Sequence, residues 1–358
     1  MIISVRAHRA ALAALGTVCV FASAACGGGG HSAATPTPSV PSTSTTVASP
    51  TPTKTVKPAP KVNPYTGIGA VPKTPTIAVK VDDTAPGRPQ RGIDLADVVY
   101  IEAVEGGLTR LAAIYGTNKP VVGYVRSTRP SDPDLLLQYG KITEAYSGGA
   151  HDSLPRVKAS GITSWSNDAG APYYSRVNRS ESTYINLVLD LAKVAAKTKS
   201  ALPKSNGWTF RSSLAGLTTS VGTDVRTRVT GSYAYTSGTA VEFRWSTTLR
   251  KYVRYINGVA QHAADGKLVT ATNVIVQSCK VVSHPADTDV NGNPSQFTTT
   301  TGTGAVSVFR GGKRINGTWS RPKLNNGTKL KTSAGGVLPL QPGNTWVVLV
   351  RTGEPISG

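Results

Sequence analysis

Residues 27–62 are dominated by Gly, Ser, Thr, Pro and Ala, with three lysines and no acidic residue. A segment of that composition cannot bury a core. The fold must therefore be built from the downstream region of about 290 residues, which opens near Asn63-Pro64-Tyr65-Thr66-Gly67 and is enough for two domains of usual size. The repeats Thr35-Pro36-Thr37-Pro38 and Pro50-Thr51-Pro52-Thr53 make the tract a semi-extended spacer of roughly 3 Å per residue, on the order of 100 Å in all. Such Thr/Pro tracts also suit O-glycosylation.

Ahead of the tract, basic Arg6, His8 and Arg9 precede the apolar run 10–25, the pattern of a secretory signal occupying residues 1–25. That run falls short of the about 20 residues a spanning helix needs. It ends in Ser23-Ala24-Ala25-Cys26-Gly27, small residues before a cysteine, which resembles the bacterial lipobox with Ser23 where Leu is usual. The expectation is diacylation of Cys26 with fatty acid such as palmitate and anchoring at the extracytoplasmic face of the cell membrane. Each buried acyl methylene contributes roughly 0.8 kcal/mol, so two chains hold a soluble body at the surface. The alternative is ordinary secretion with Cys26 a bystander. Cys19 leaves with the signal, so Cys279 alone remains for the fold and no intramolecular disulfide forms. Cys279 lies in the strand-like run 273–282 and reads as a buried structural thiol.

The formal charge is +20 and uneven. Residues 63–205 carry 17 Lys and Arg against 13 Asp and Glu, and residues 206–358 carry 17 against 6. A basic body near anionic headgroups and anionic wall polymers is drawn to both; equally, the charge can be a solvated surface that keeps the protein soluble. Nucleic acid is not expected as a partner, because the protein is exported and has no aromatic-basic recognition motif.

Runs 76–81 (TIAVKV), 98–103 (VVYIEA), 111–115 (LAAIY) and 121–125 (VVGYV) read as strands. A short helix is predicted over 133–139 with Asp132 as cap, and a longer one over 182–197 from the spacing of Ile185, Leu187, Val188, Leu191, Val194 and Ala195, capped by Ser182. From about 206, Thr, Ser, Val and Gly dominate, with apolar runs at 240–245, 269–282, 305–309 and 345–350. Turn signals separate these runs at Asn257-Gly258, Asp265-Gly266, Asn291-Gly292 and Pro342-Gly343. The fold class expected is α+β: a mixed α/β N-terminal domain over 63–205, then a β-rich C-terminal domain over 206–358.

The densest polar constellation is Asp82, Asp83, Arg88, Glu102, Glu105, Arg110, Arg126 and Arg129, at the ends of strands where loops gather. Glu102 or Glu105 can pair with Arg110, Arg126 or Arg129, and the guanidinium forks suit an anionic ligand. The same set can be an ion-paired network that pins loops. His151, after the flexible Ser147-Gly148-Gly149-Ala150, is a further candidate or a simple exposed loop residue. Asp287-Thr288-Asp289-Val290-Asn291-Gly292-Asn293 begins like a calcium loop but has Thr298 where the bidentate Glu belongs, so a hairpin turn is favoured, with weak calcium binding as the alternative. Histidines lack metal-ligand spacing, and nucleophile elbows, Cys-His pairs, phosphate loops and dinucleotide fingerprints are missing, so no catalytic residue, metal or cofactor is assigned.

The ordered motifs NPYTG at 63, IAVKVDD at 77, RPQ at 88, ADVVY at 96, EGGLTR at 105, VRSTRP at 125 and SGGAH at 147, then FRW at 243, NVIVQ at 273, GTW at 317 and PGNTW at 342, together resemble the YerB-like lipoproteins, domain-of-unknown-function family 3048. The resemblance covers nearly the whole exported region and implies a lipoprotein signal and two domains. Where members are expected to have a His-Asn pair before the long helix, this chain has Glu181, Ser182, Thr183 and Tyr184. The family carries no established activity. Two functions therefore stand: a binding or scaffolding module of the cell envelope recognising an anionic wall polymer or a membrane protein, and a wall-glycan hydrolase pairing Glu102 or Glu105 with Asp82 or Asp83.

Overall fold

Strand runs that are buried at every position need cover on both faces, and the chain provides it. The computed structural model describes residues 62–232 and 238–357, all in one compact unit. The signal, Cys26 and the Pro/Thr tract lie outside the described residues. Strands β1 (Ile77–Asp82), β2 (Val98–Ala103) and β3 (Thr109–Tyr115) are buried along their whole length. They form the middle of a twelve-stranded sheet. On one side β1 pairs in parallel with Thr143–Tyr146, which pairs with Thr163–Ser166. On the other, β2 pairs in parallel with Thr345–Arg351, Val98 opposite Thr345 and Ile101 opposite Val348. Beyond it lie Asn273–Thr288, Gly302–Arg310, Lys313–Arg321 and Lys329–Thr332. One sheet thus draws strands from both halves of the sequence.

Side-chain alternation divides this sheet into two cores. Val79, Val81, Val99, Ile101, Leu111, Ala113, Trp346 and Val348 face one way, packing with Val225, Val241, Phe243 and Tyr252. These partners come from a second, five-stranded sheet that includes Asp224–Val229, Thr239–Ser246 and Lys251–Ile256. Ala78, Tyr100, Ala112, Ile114, Ile275 and Val347 face the other way, toward Leu135, Leu136, Tyr139, Trp208 and Leu340. Cys279 sits in that second core, 1% exposed, and burial pushes its thiol up to about 12.

The described residues are strand-rich with short helices. Two helix expectations need correction. Helix α1 is Asp132–Leu136, continued by a 3-10 turn at Leu137–Tyr139. Asp132 is not its cap, because its carboxylate is drawn inward to Lys80 and to the amide of Arg129. The segment 182–197 is helical only in its second half. Leu187–Asp190 is a strand between Val121–Gly123 and Tyr174–Arg176. Leu191–Lys197 follows as a helix whose first turn is capped by Asp190, which accepts from the Lys193 amide. Ser182 instead closes a tight turn, its Oγ accepting from the amides of Tyr184 and Ile185. Leu187 and Leu189 find a sheet to enter, and that burial overrides helical spacing.

Asn257-Gly258 and Asn291-Gly292 are turns as expected. Both residues of the first have positive φ, at 50° and 78°, the conformation Asn-Gly tolerates. In the second, Asp289 Oδ1 accepts from the amides of Asn291 and Asn293, 2.9 Å each, and the segment is a hairpin turn. No described helix is long and apolar enough to cross a membrane.

Candidate functional site

The site follows from alternation at the ends of three strands. Lys80, Asp82, Glu102 and Arg110 share the face of Ala78, Tyr100 and Ala112, and Asp82 stands opposite Arg110 in the β1–β3 register. Asp83, one residue on, turns the other way and meets different partners. Of the nine folded candidates, Glu105, Arg110, Arg126 and Arg129 converge on one cleft of about 370 Å³. Its far wall is Thr288, Asp289, Val290 and Asn291.

Each carboxylate at or near this cleft accepts hydrogen bonds on at least one oxygen. Glu105 accepts from Arg129 Nη2 at 2.6 Å and from Ser295 Oγ at 2.5 Å. Burial would raise its pKa, but the Arg129 charge and these bonds win and hold the carboxyl below the usual range. Asp289 is likewise lowered: its slight burial is outweighed by bonds from Asn293 and Asn291. Asp82 Oδ1 accepts from the amide and hydroxyl of Thr84, at 2.7 and 2.5 Å.

The arginines are not all satisfied. Asp82 Oδ2 lies 3.6 Å from Arg110 Nη1 and 3.5 Å from Arg126 Nε, too far for good hydrogen bonds. Arg110 is 5% exposed, yet its Nε and Nη1 have no hydrogen-bond partner among the described residues. Burial lowers its guanidinium to about 10, with Asp82 opposing and the charges of Arg126 and Arg129 adding to the shift. Arg126 has a third of its side chain exposed. Two guanidiniums therefore flank one carboxylate oxygen, that of Asp82, at distances that leave their hydrogen-bonding capacity incompletely used.

The remaining candidates lie elsewhere. Asp83 receives Arg254 Nη2 on both carboxylate oxygens at 2.8 Å, and Thr109 Oγ1 at 2.8 Å. Arg88 stands 3.9 Å from Asp83, outside the cleft. Glu102 is buried against Lys80, whose Nζ also reaches Asp132 Oδ1 at 2.7 Å. His151 is exposed on its loop, while its neighbours Gly149 and Ala150 line the cleft. Of the expected pairings, Glu105 with Arg129 forms, whereas Glu102 takes a lysine.

Sequence reading missed Lys80, Arg254 and Glu144. Lys80 and Arg254 each interrupt an apolar run, in TIAVKV and KYVRYI, at an inward position. A charge at a core position of a strand needs a buried partner, and that was the available signal.

Two family comparisons match this chain in sequence order: "Protein of unknown function (DUF3048) N-terminal domain" over residues 65–205 and its C-terminal domain over residues 230–347. The chain belongs to the DUF3048 family. The Bacillus subtilis (strain 168) protein named "Putative lipoprotein YerB" is 27% identical to this chain over 311 residues, 80% of this chain and 85% of that protein. The crystal structure of the YerB protein from Bacillus subtilis superposes with a TM-score of 0.67 at 22% identity, covering 83% of this chain and 100% of that one. The DUF3048 fold is thus shared, strand-rich and built from both matched regions.

Proposed function

We propose that this protein is a lipoprotein of the cell envelope, anchored through Cys26 at the extracytoplasmic face of the membrane, whose folded body binds an anionic envelope component. The lipoprotein reading is supported by the signal and lipobox-like residues and by the name of the Bacillus subtilis relative. The binding reading rests on one observation: Arg110, Arg126 and Arg129 line one cleft, and Arg110, buried and 3.6 Å from Asp82, has guanidinium nitrogens without a hydrogen bond among the described residues. Unmade hydrogen bonds on a buried charge are costly, so an oxyanion that makes them binds favourably.

The hydrolase alternative loses its support at the same place. A carboxylate pair that cleaves glycosides must face one cleft at a separation of roughly 5–9.5 Å. Of Glu102, Glu105, Asp82 and Asp83, Glu105 lines the cleft, whereas Glu102 is buried against Lys80 and Asp83 is held by Arg254.

The test is co-sedimentation of the purified protein with cell walls that carry their anionic polymers. Arg126→Gln should weaken binding by about tenfold or more while leaving the melting temperature unchanged, because a hydrogen bond to a charged group contributes ~1.5–3 kcal/mol. Added salt should weaken the wild type as well. Binding that is indifferent to both Arg126 and salt would defeat the reading. For the anchor, a fatty-acid probe should label the full-length protein in bacteria and spare Cys26→Ala.

A further inference from the structure

The surface around Val62, where the Pro/Thr tract joins the folded body, differs from the rest of the molecule. Val62 itself lines a groove of about 650 Å³, together with Pro64, Val71, Pro203, Trp208 and Phe210. Trp208 is 8% exposed and belongs to the core behind the groove. Other apolar side chains stand out into water around it. Val62 is 50% exposed, Leu202, next to Pro203, is 52% exposed, and Ile68, on the loop that bridges Val62 to Ala70, is 59% exposed. Apolar side chains gathered at one exposed place mark an interaction surface.

The charges around the groove are of one sign. All its lining residues come from segments 62–75 and 197–211, which contain Lys73, Lys197, Lys199, Lys204 and Arg211 and no acidic residue. Lys141 joins them, because its carbonyl accepts from the amide of Ala201, beside Leu202. Lys73, Lys141, Lys199 and Lys204 are exposed, and none forms an ion pair among the described residues. The guanidiniums of the arginine cleft face Asp82 and Glu105, whereas these ammonium groups face no carboxylate. Lysine carries its charge on a long apolar stem, so such a ring can reach outward past an apolar centre.

Resting on the Cys26 anchoring proposed above, we infer that this face docks on the membrane that carries the anchor. Val62, Ile68 and Leu202 enter the interfacial region of an anionic bilayer, and Lys73, Lys141, Lys199 and Lys204 meet its lipid phosphates. The position of the tether favours lipid over a protein partner. It joins the body inside the patch, at Val62, so the chain need cross no other face for the patch to meet the bilayer. Tethering also keeps that surface at a high effective concentration, so a modest intrinsic affinity suffices.

Sedimentation with vesicles tests this on the mature chain from Gly27, made without lipid so that Cys26 contributes nothing. Each lysine near an anionic surface strengthens binding by roughly fivefold, so vesicles of equimolar phosphatidylglycerol and phosphatidylcholine should bind at least about tenfold tighter than phosphatidylcholine alone. Lys199→Gln combined with Lys204→Gln should weaken that binding by about tenfold or more. Ile68→Ser combined with Leu202→Ser should weaken it too, at unchanged melting temperature, because both positions are exposed. Val259→Ser, exposed on the second sheet, should leave it unchanged. Equal binding to both vesicles, binding to neither, or binding indifferent to both double variants overturns the docking face. In the lipidated chain, a benzophenone side chain placed at position 202 should crosslink to lipid, and crosslinking to protein instead overturns the bilayer as occupant. The fatty-acid label on Cys26 reads the anchor independently, so a labelled protein whose unlipidated chain ignores vesicles loses this face and keeps its anchor.

Discussion

Behind the cleft, one buried residue carries the clearest pH signature of the protein. Glu144 is fully buried, with Thr128 Oγ1 donating to its Oε1 at 2.6 Å and Oε2 unpartnered among the described residues. Burial, then the charge of Asp132, pushes its carboxyl up to about 8, with the Thr128 bond and Lys80 opposing. A carboxyl raised on folding binds a proton that the unfolded chain has lost. Its contribution is therefore neutral below the unfolded value of 4.5 and increasingly unfavourable as pH rises toward about 8. Glu144→Gln keeps an acceptor for Thr128 and removes the titration. Its stability relative to wild type should rise between pH 5 and pH 9, by on the order of a few kcal/mol. Urea unfolding at the two pH values checks this, and an unchanged difference would show that Glu144 does not titrate in that window.

At the scale of elements, burial competed with helical periodicity over 182–197 and won. Leu187, Val188 and Leu189 satisfy either reading by sequence alone; the open side of Val121–Gly123 makes them a strand. The helix that remains, Leu191–Lys197, depends on its cap. Asp190→Ala should cost about 1 kcal/mol, read as a lowered urea midpoint with an unchanged slope. Asp190→Ser, which can also cap, should recover most of it. Where no partner competed, as in β2, the residues read from the sequence and those in the strand coincide at Val98–Ala103.

For the whole molecule, the seam between β2 and Thr345–Arg351 matters most. Val98–Ala103 is buried throughout, and the pairing that satisfies one of its edges comes from the end of the chain. Arg254 on Asp83 and Ser295 on Glu105 cross the same divide. A fragment ending at residue 205 would expose a long apolar sheet edge, a template for aggregation. Residues 62–205 expressed alone should elute as aggregate or show no dispersed amide spectrum, whereas the full mature chain should unfold in a single transition. Co-expression with residues 206–358 should restore a soluble, folded pair.

Local pattern in the sequence was enough to place the strand runs, the Asn-Gly turns, the buried Cys279 and the region of the polar cluster. Each depends on residues near one another in the chain, through alternation, turn conformation or an unbroken apolar run. Partner choice was a tertiary decision. Asp82 and Asp83 are adjacent and chemically identical, yet alternation aims one at the arginine cleft and the other at Arg254, 171 residues away. Which strand lies beside which is settled by burying the whole sheet at once. The pairing order that results decides which charges meet, and so sets Arg110 against Asp82 at a distance too long for a good hydrogen bond.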